Sequence, residues 1–332
     1  MKICVVGKAN HLFWDQNVVD TLKFLGHEVQ HFQINQRAIT TEIVRNVIKP
    51  FNTEYAKEIS DKFHADNIRK QCVSFQPDIV FFVSAFFIPV VYYELLKELP
   101  SSPLIVAWDG DTAVRYPKNE SYSNYIDVLM SGSKYYVDNK VSYFPNTHHL
   151  LMAVNEKFFF RNSEHISKAY FCAAYTRERG DFIEHLSPRN IVVKGWGWGP
   201  FIDTIDTKNL EIINKKIKLL EVANDYRQYI LTLNMHQKAN APHGELNMRT
   251  FEAPACGSII LSDYREEMYL AYEPGREVLM YKNTDEANEH MDKLFRDKNY
   301  TKKLSENAYK KTISEHTYTK RIEYCLDIIK QY

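Results

Sequence analysis

Arg249 and Glu252 stand three positions apart in a stretch that reads as strand, polar loop and helix start. Residues at that spacing share one helix face. Free amides at a helix opening attract an anion, and a guanidinium one turn in adds a forked donor to a diphosphate. A carboxylate beside it suits the paired hydroxyls of a ribose. The same stretch supplies Asn234 at the strand end, Asn247 just before the helix, and Gly257 for a close turn into the next strand. Arg177 and Arg179 follow an upstream strand and are two further candidate cations. The chemistry implied is the grip on a nucleoside diphosphate.

Other groups are weighed against this site. Gly195-Trp196-Gly197-Trp198-Gly199 ends a strand: its glycines allow close approach, and a Trp can stack on a base, although at least one indole is expected in the core. Asp109-Gly110-Asp111 after a strand resembles a metal-diphosphate signature, but it lies far from the nucleotide residues, so an acceptor-side or structural role is preferred and no metal or other cofactor is assigned. The loop from Gly7 to Asp15 lacks both G-x-G-x-x-G and G-K-[ST], which disfavours dinucleotide and P-loop sites. The histidines His148, His149, His236 and His243 show no metal-ligand spacing. Five widely spaced cysteines without a C-x-x-C pair read as buried thiols in a reducing compartment.

The elements that must position these residues come in two series. Short apolar runs at residues 2–7, 27–32, 79–83, 104–108 and 126–130 alternate with helical stretches from about 17 and at 53–73 and 90–99. Such alternation implies a parallel sheet with helices on both faces. A second series places strands at 169–173, 190–194, 229–233, 258–261 and 277–281. Its helices are read at 179–186, about 207–226, 247–255, 284–296, 300–314 and 318–331. The chain of 332 residues therefore reads as two domains: residues 1–160, with 318–332 packing back on them, and residues 161–317. The fold class is α/β, with two doubly wound lobes facing a ligand cleft. Forty-two basic residues balance forty-two acidic ones, which disfavours a nucleic-acid partner. The longest apolar run, residues 79–93, is shorter than the roughly 20 residues of a membrane span. A cytoplasmic protein is expected; peripheral membrane contact and oligomeric state are left open.

Four motifs in order narrow the class. Leu233-Asn234, then Asn247-x-Arg249-x-Phe251-Glu252-x-x-Ala255-x-Gly257, then Pro274-Gly275-Arg276-Glu277, then His316-Thr317-Tyr318-x-x-Arg321 resemble the CgeB-like (spore maturation protein) branch of GT-B glycosyltransferases. The resemblance spans about residues 168–332 and is looser before. It implies GT-B architecture and metal-independent transfer of a sugar from a nucleoside diphosphate sugar to a hydroxyl of a glycan, lipid-linked or protein acceptor. Donor contacts would fall on Arg177, Arg179, Gly195, Trp196, Asn234, Asn247, Arg249, Glu252 and Gly257. The clamp arginines would stabilise the leaving diphosphate, and the last helix would couple the lobes. In such enzymes the loop after the first strand faces the cleft, which makes His11 or Asp15 a candidate base for an inverting reaction; Asp109 is the remaining catalytic candidate. Related retaining enzymes carry Glu-x7-Glu on the donor side; Glu252 matches its second position, and Gly244 stands at the first. A GT-B nucleotide-sugar epimerase and a non-catalytic nucleotide-sugar-binding protein are the alternatives.

Overall fold

The computed structural model describes residues 1–8, 14–34, 43, 46–110, 120–139, 143–162, 164–187, 190–203, 210–236 and 245–332. The chain divides into two compact units: residues 1–151 with 321–332, and residues 152–320. No helix among the described residues is long and apolar enough to cross a membrane.

The first unit holds a six-stranded parallel sheet. Its strands are β1 (Lys2–Gly7), β2 (Glu28–Gln33), β3 (Ile79–Val83), β4 (Leu104–Asp109), β5 (Val128–Ser131) and β6 (Thr147–His149), in the order β2-β1-β3-β4-β5-β6. The central strands are apolar on both faces, as a sheet covered by helices on both sides requires: Ile3 to Val6 and Val80 to Val83 are all buried. Helices α1 (Trp14–Phe24), α2 (Thr53–Phe75), α3 (Val90–Lys97) and the short α4 (Lys134–Asp138) connect the strands. Asn52 caps α2 by accepting the Tyr55 amide.

The second unit repeats the plan. Strands β7 (Ile166–Cys172), β8 (Ile191–Gly195), β9 (Leu210–Asn214), β10 (Tyr229–Asn234), β11 (Ile259–Asp263) and β12 (Leu279–Tyr281) lie in the order β12-β11-β10-β7-β8-β9, every pair parallel. Its helices are α5 (Arg177–Glu184), α6 (Gly199–Ile202), α7 (Leu219–Gln228), α8 (Arg249–Ala255), α9 (Met268–Ala271), α10 (Thr284–Arg296) and α11 (Lys298–Glu315). The last helix, α12 (Tyr318–Ile329), begins in this unit, and from Arg321 onward its residues belong to the first. Ile322, Cys325, Leu326 and Ile329, its apolar stripe, are all buried. Tyr332 beyond it meets His148 of β6 at 2.8 Å.

The α/β class with two doubly wound sheets is as the alternation implied. One reading is corrected: the continuous helix expected over 207–226 is a strand, β9, followed by the shorter helix α7. Leu-Glu-Ile-Ile-Asn is too polar for a central strand. As an edge strand it needs only one partner, and pairing with β8 from Leu210 to Asn214 decides its form. The fifth strand likewise runs 128–131 rather than 126–130; just ahead of it the Asp127 side chain accepts the Ile105 amide and the Lys97 ammonium.

Candidate functional site

Parallel sheets bind ligands beyond the carboxyl ends of their strands, where strand order reverses. In the second unit that point lies between β7 and β10, since connections run outward from it in both directions. Arg249 and Arg179 both span it. Arg249, the first residue of α8, donates from Nη1 to Asn234 Oδ1 at 2.8 Å, on the end of β10. Its Nη2 donates to the carbonyl of Cys172, on the end of β7, and its Nε to the Tyr226 hydroxyl at 3.3 Å. Arg179 crosses the same gap one layer out, from Nη1 to Ala174 O at 2.9 Å and from Nη2 to Met235 O at 3.4 Å. Burial, with the neighbouring Arg249 charge, lowers the Arg179 pKa. Two guanidinium groups thus share one crevice, an arrangement that an anion between them would relieve.

Glu252 sits one turn into α8 and is 6% exposed. Burial pushes its carboxyl from the usual 4.5 up to about 7, while the Arg249 charge pulls the other way. Its side chain has no hydrogen-bond partner among the described residues. A buried carboxyl left unbonded costs stability, and it is a ready acceptor for hydroxyl groups.

The start of α8 differs from the sequence expectation. The amides of Thr250, Phe251 and Glu252 already bond to the carbonyls of Asn247 and Met248, and Asn247 Oδ1 takes a second bond from the Thr250 amide at 3.3 Å. The positive end of this site is therefore made by side chains, not by open amides. Pro254 lies inside the helix and has no amide to give the Thr250 carbonyl; the Tyr272 hydroxyl donates to that carbonyl instead, at 3.2 Å. Gly257 then closes the helix at φ +81°, with Arg161 and His165 where a side chain would point.

Asn234, fully buried, is committed to the protein. Its Oδ1 accepts from Asn247 Nδ2 at 2.9 Å as well as from Arg249, and its Nδ2 faces Asn247, Thr250 and Ser262. It orients Arg249 rather than meeting a ligand directly. Arg177, at the start of α5, is exposed. Gly195 ends β8 with its Cα so near Ala173 that an added Cβ would lie 1.8 Å from that carbonyl oxygen. Trp198 goes to the core, donating from Nε1 to Ala173 O at 2.8 Å, whereas Trp196 is 60% exposed. A cavity of about 700 Å³ opens beside the site, but Glu178, Asp181 and Asp263 against Lys282 make its wall acidic and unsuited to a diphosphate.

The first-unit candidates are spread out. His11 and Asp111 lie outside the described residues. Asp15, in α1, is buried and receives His31 Nε2 at 2.9 Å and Gln33 Nε2 at 3.0 Å. Burial alone would raise its pKa, but these two bonds outweigh it and hold the carboxyl below its usual range, which makes Asp15 a weak proton acceptor. Asp109 ends β4, is buried, and takes the Phe86 amide at 3.4 Å. No group of three His, Cys, Asp or Glu suited to a metal occurs among the described residues.

With this geometry in place, comparison with known proteins is informative. Residues 177–327 match the family model described as "Glycosyl transferase-like", a span that begins at Arg177 and contains Arg179, Arg249 and Glu252. The chain is a glycosyltransferase of GT-B architecture. Its fold is shared with sucrose-phosphate synthase from Thermosynechococcus elongatus (TM-score 0.69, 10% identity, 100% of this chain and 98% of that one). It is shared equally with a glycosyltransferase from Rickettsia africae (TM-score 0.69, 12% identity, 99% and 98%). Anabaena HepE, solved with UDP and glucose, aligns over 100% of both chains at TM-score 0.67 and 8% identity. No curated protein sequence matches the chain.

The glycosyltransferase also uses residues that sequence reasoning passed over. Tyr226 and the Cys172 carbonyl anchor Arg249, and buried His236 and Arg265 are joined through half-buried Asp263 at the ends of β10 and β11. A signal for the last group exists. Asn234 pairs with Ser262 across those strands, which brings the loop after β10, with His236 two residues past its end, close to Asp263 at the end of β11.

Proposed function

We propose that this glycosyltransferase is a CgeB-like enzyme that moves a sugar from a nucleoside diphosphate sugar to a hydroxyl of a glycan, lipid-linked or protein acceptor, without a metal. The observation that carries the reading is the pair Arg179 and Arg249 across the β7–β10 crevice, with the unbonded Glu252 carboxylate one turn behind. In this reading the diphosphate lies against the two guanidiniums and Glu252 accepts the ribose hydroxyls. As the bond from the anomeric carbon to the diphosphate oxygen breaks, charge gathers on that oxygen. The arginines stabilise it more in the transition state than in the ground state, the task a metal performs elsewhere. The acceptor oxygen bonds the anomeric carbon, and its proton passes to solvent as the nucleoside diphosphate departs. Trp196, exposed on a turn between two glycines, is the proposed platform for the base, and Arg177 an outer phosphate contact. The UDP-bound HepE structures, which share the fold, support a uridine nucleotide as the first donor to test.

Calorimetry with UDP, GDP, ADP, CDP and dTDP tests the reading. One of them is expected to bind wild type, and Glu252→Ala to bind it at least tenfold more weakly, the loss of about one charged hydrogen-bond pair. No binding by wild type to any of the five would refute it. Sugar donor converted without an acceptor would instead identify an epimerase.

A further inference from the structure

His236 belongs to none of the motifs that drew attention to the site. It follows β10 by two residues and is 7% exposed. Its Nδ1 lies 2.7 Å from Asp263 Oδ1, and its Nε2 faces the Asn247 amide at 3.4 Å. An amide nitrogen only donates, so Nε2 must be the bare nitrogen and Nδ1 must carry the proton. Asp263 in turn has its other oxygen occupied by the Arg265 fork, at 2.8 and 3.1 Å. This leaves Oδ1 for the imidazole and for the His236 amide at 3.1 Å. From Asn247 the chain runs through Nδ2 to Asn234 Oδ1, the oxygen that also holds Arg249 Nη1.

We propose that His236 is a positioning residue: its neutral imidazole, fixed by Asp263, seats the Asn247 turn and thereby aims the Arg249 guanidinium at the donor diphosphate. The proposal rests on the assignment of Arg249 to the donor. Protonation would place a hydrogen on Nε2 against the Asn247 N–H, turning an attraction into a clash of two donors. The charged groups that face the ring are Asp263 at the end of β11, Arg265 beyond it, and Arg249 on α8. Asp263, which His236 and Arg265 hold down to about 2 against the effect of burial, stays ionised throughout. It favours the imidazolium, while burial first and then the two arginines oppose it, and the net effect is a lowered His236 pKa. The seat is thus kept at neutral pH and given up only in acid below the ordinary histidine range.

Two variants separate the two ring nitrogens. Asn at this position keeps a donor near the place of Nδ1 and nothing near Nε2; Gln keeps an acceptor near Nε2 and does not titrate. Calorimetry on the full chain, with the same five nucleoside diphosphates from pH 5 to 8, is expected to show His236→Asn binding about five- to tenfold more weakly than wild type at pH 7.5, the worth of one hydrogen bond. His236→Gln is expected within twofold at pH 7.5 and to show none of the acid loss that accompanies protonation of His236 in wild type. Nitrogen-15 spectra of wild type labelled at histidine and asparagine should show Nδ1 protonated and the Asn247 amide signal shifting as His236 titrates. Equal affinities for all three proteins across the pH range, or a proton on Nε2 at neutral pH, would overturn the proposal while leaving the donor site standing. Failure of wild type to bind any of the five would remove both.

Discussion

The two units are built on the same plan, yet their strand ends carry different charged side chains. In the first sheet the order reverses between β1 and β3, in the second between β7 and β10. In the first unit Lys8, just past β1, lies over the Phe87 ring at 5.2 Å, and Asp15 is pulled toward β2 by His31 and Gln33 and packed against Gly7, where an added Cβ would lie 2.3 Å from its own. At the reversal in the second, two arginines are strung between strand-end carbonyls and a carboxyl is left unbonded. A backbone topology offers the same crevice twice; side chains decide its charge. Asp15 and the two arginines have polar partners within the protein, whereas the Glu252 carboxyl has none among the described residues.

The contrast breaks most readily at Arg249. Arg249→Ala removes the central cation of the crevice and is expected to lower nucleoside diphosphate affinity by about a hundredfold, near 3 kcal/mol. Lys at the same position should recover little, because a point charge cannot reach both Asn234 and the Cys172 carbonyl. Calorimetry alongside circular dichroism checks that the variant is folded; near-wild-type affinity would end the claim that this crevice is the donor site.

Glu252 sharpens the comparison through pH. Its folded pKa, about 7, lies above the usual 4.5. The stability it contributes is therefore fully present below pH 4.5 and is lost as pH rises through about 7. Ligand-free Glu252→Gln is expected to unfold at higher denaturant than wild type at pH 8, by about 1–3 kcal/mol, and to match it at pH 5. Its nucleotide affinity should fall at pH 8. A variant that is less stable at pH 8 would mean the carboxylate has a structural partner.

The smallest effect is expected on the other side of the comparison. Asp15→Asn should leave nucleotide affinity within twofold while costing about 1–2 kcal/mol of stability at pH 7. Because the Asp15 pKa is lowered on folding, the stability it contributes is present above the usual carboxylate range and lost as pH falls through the lower, folded value. Urea unfolding at pH 7 and 3 measures this, and a tenfold loss of nucleotide binding would show that the first unit's strand end also serves the donor.

Much of the fold was legible because buried parallel strands declare themselves. Runs such as Ile-Cys-Val-Val and Ile-Val-Phe-Phe-Val are apolar on both faces, and Arg249 with Glu252 was legible as a pair because helix spacing is a local property. The edge strand β9 was not: it carries Glu211 and Asn214 and takes its form from β8 alone. Nor was the state of the α8 opening, whose amides close on Asn247 and Met248, a consequence of backbone angles that residue names do not report.

The sequence by itself determined the parallel α/β architecture, the order of motifs along the second unit and the residue types that can grip a phosphate, because periodicity and spacing act over a few neighbours. Only the tertiary structure decided what those residues touch. Asn234 became a bracket for Arg249, Trp198 went inward while Trp196 stayed out, and His236 joined the site, each through partners 11 to 27 positions away or more. Contacts at that range depend on strand order and register, which are settled when the whole sheet closes its core.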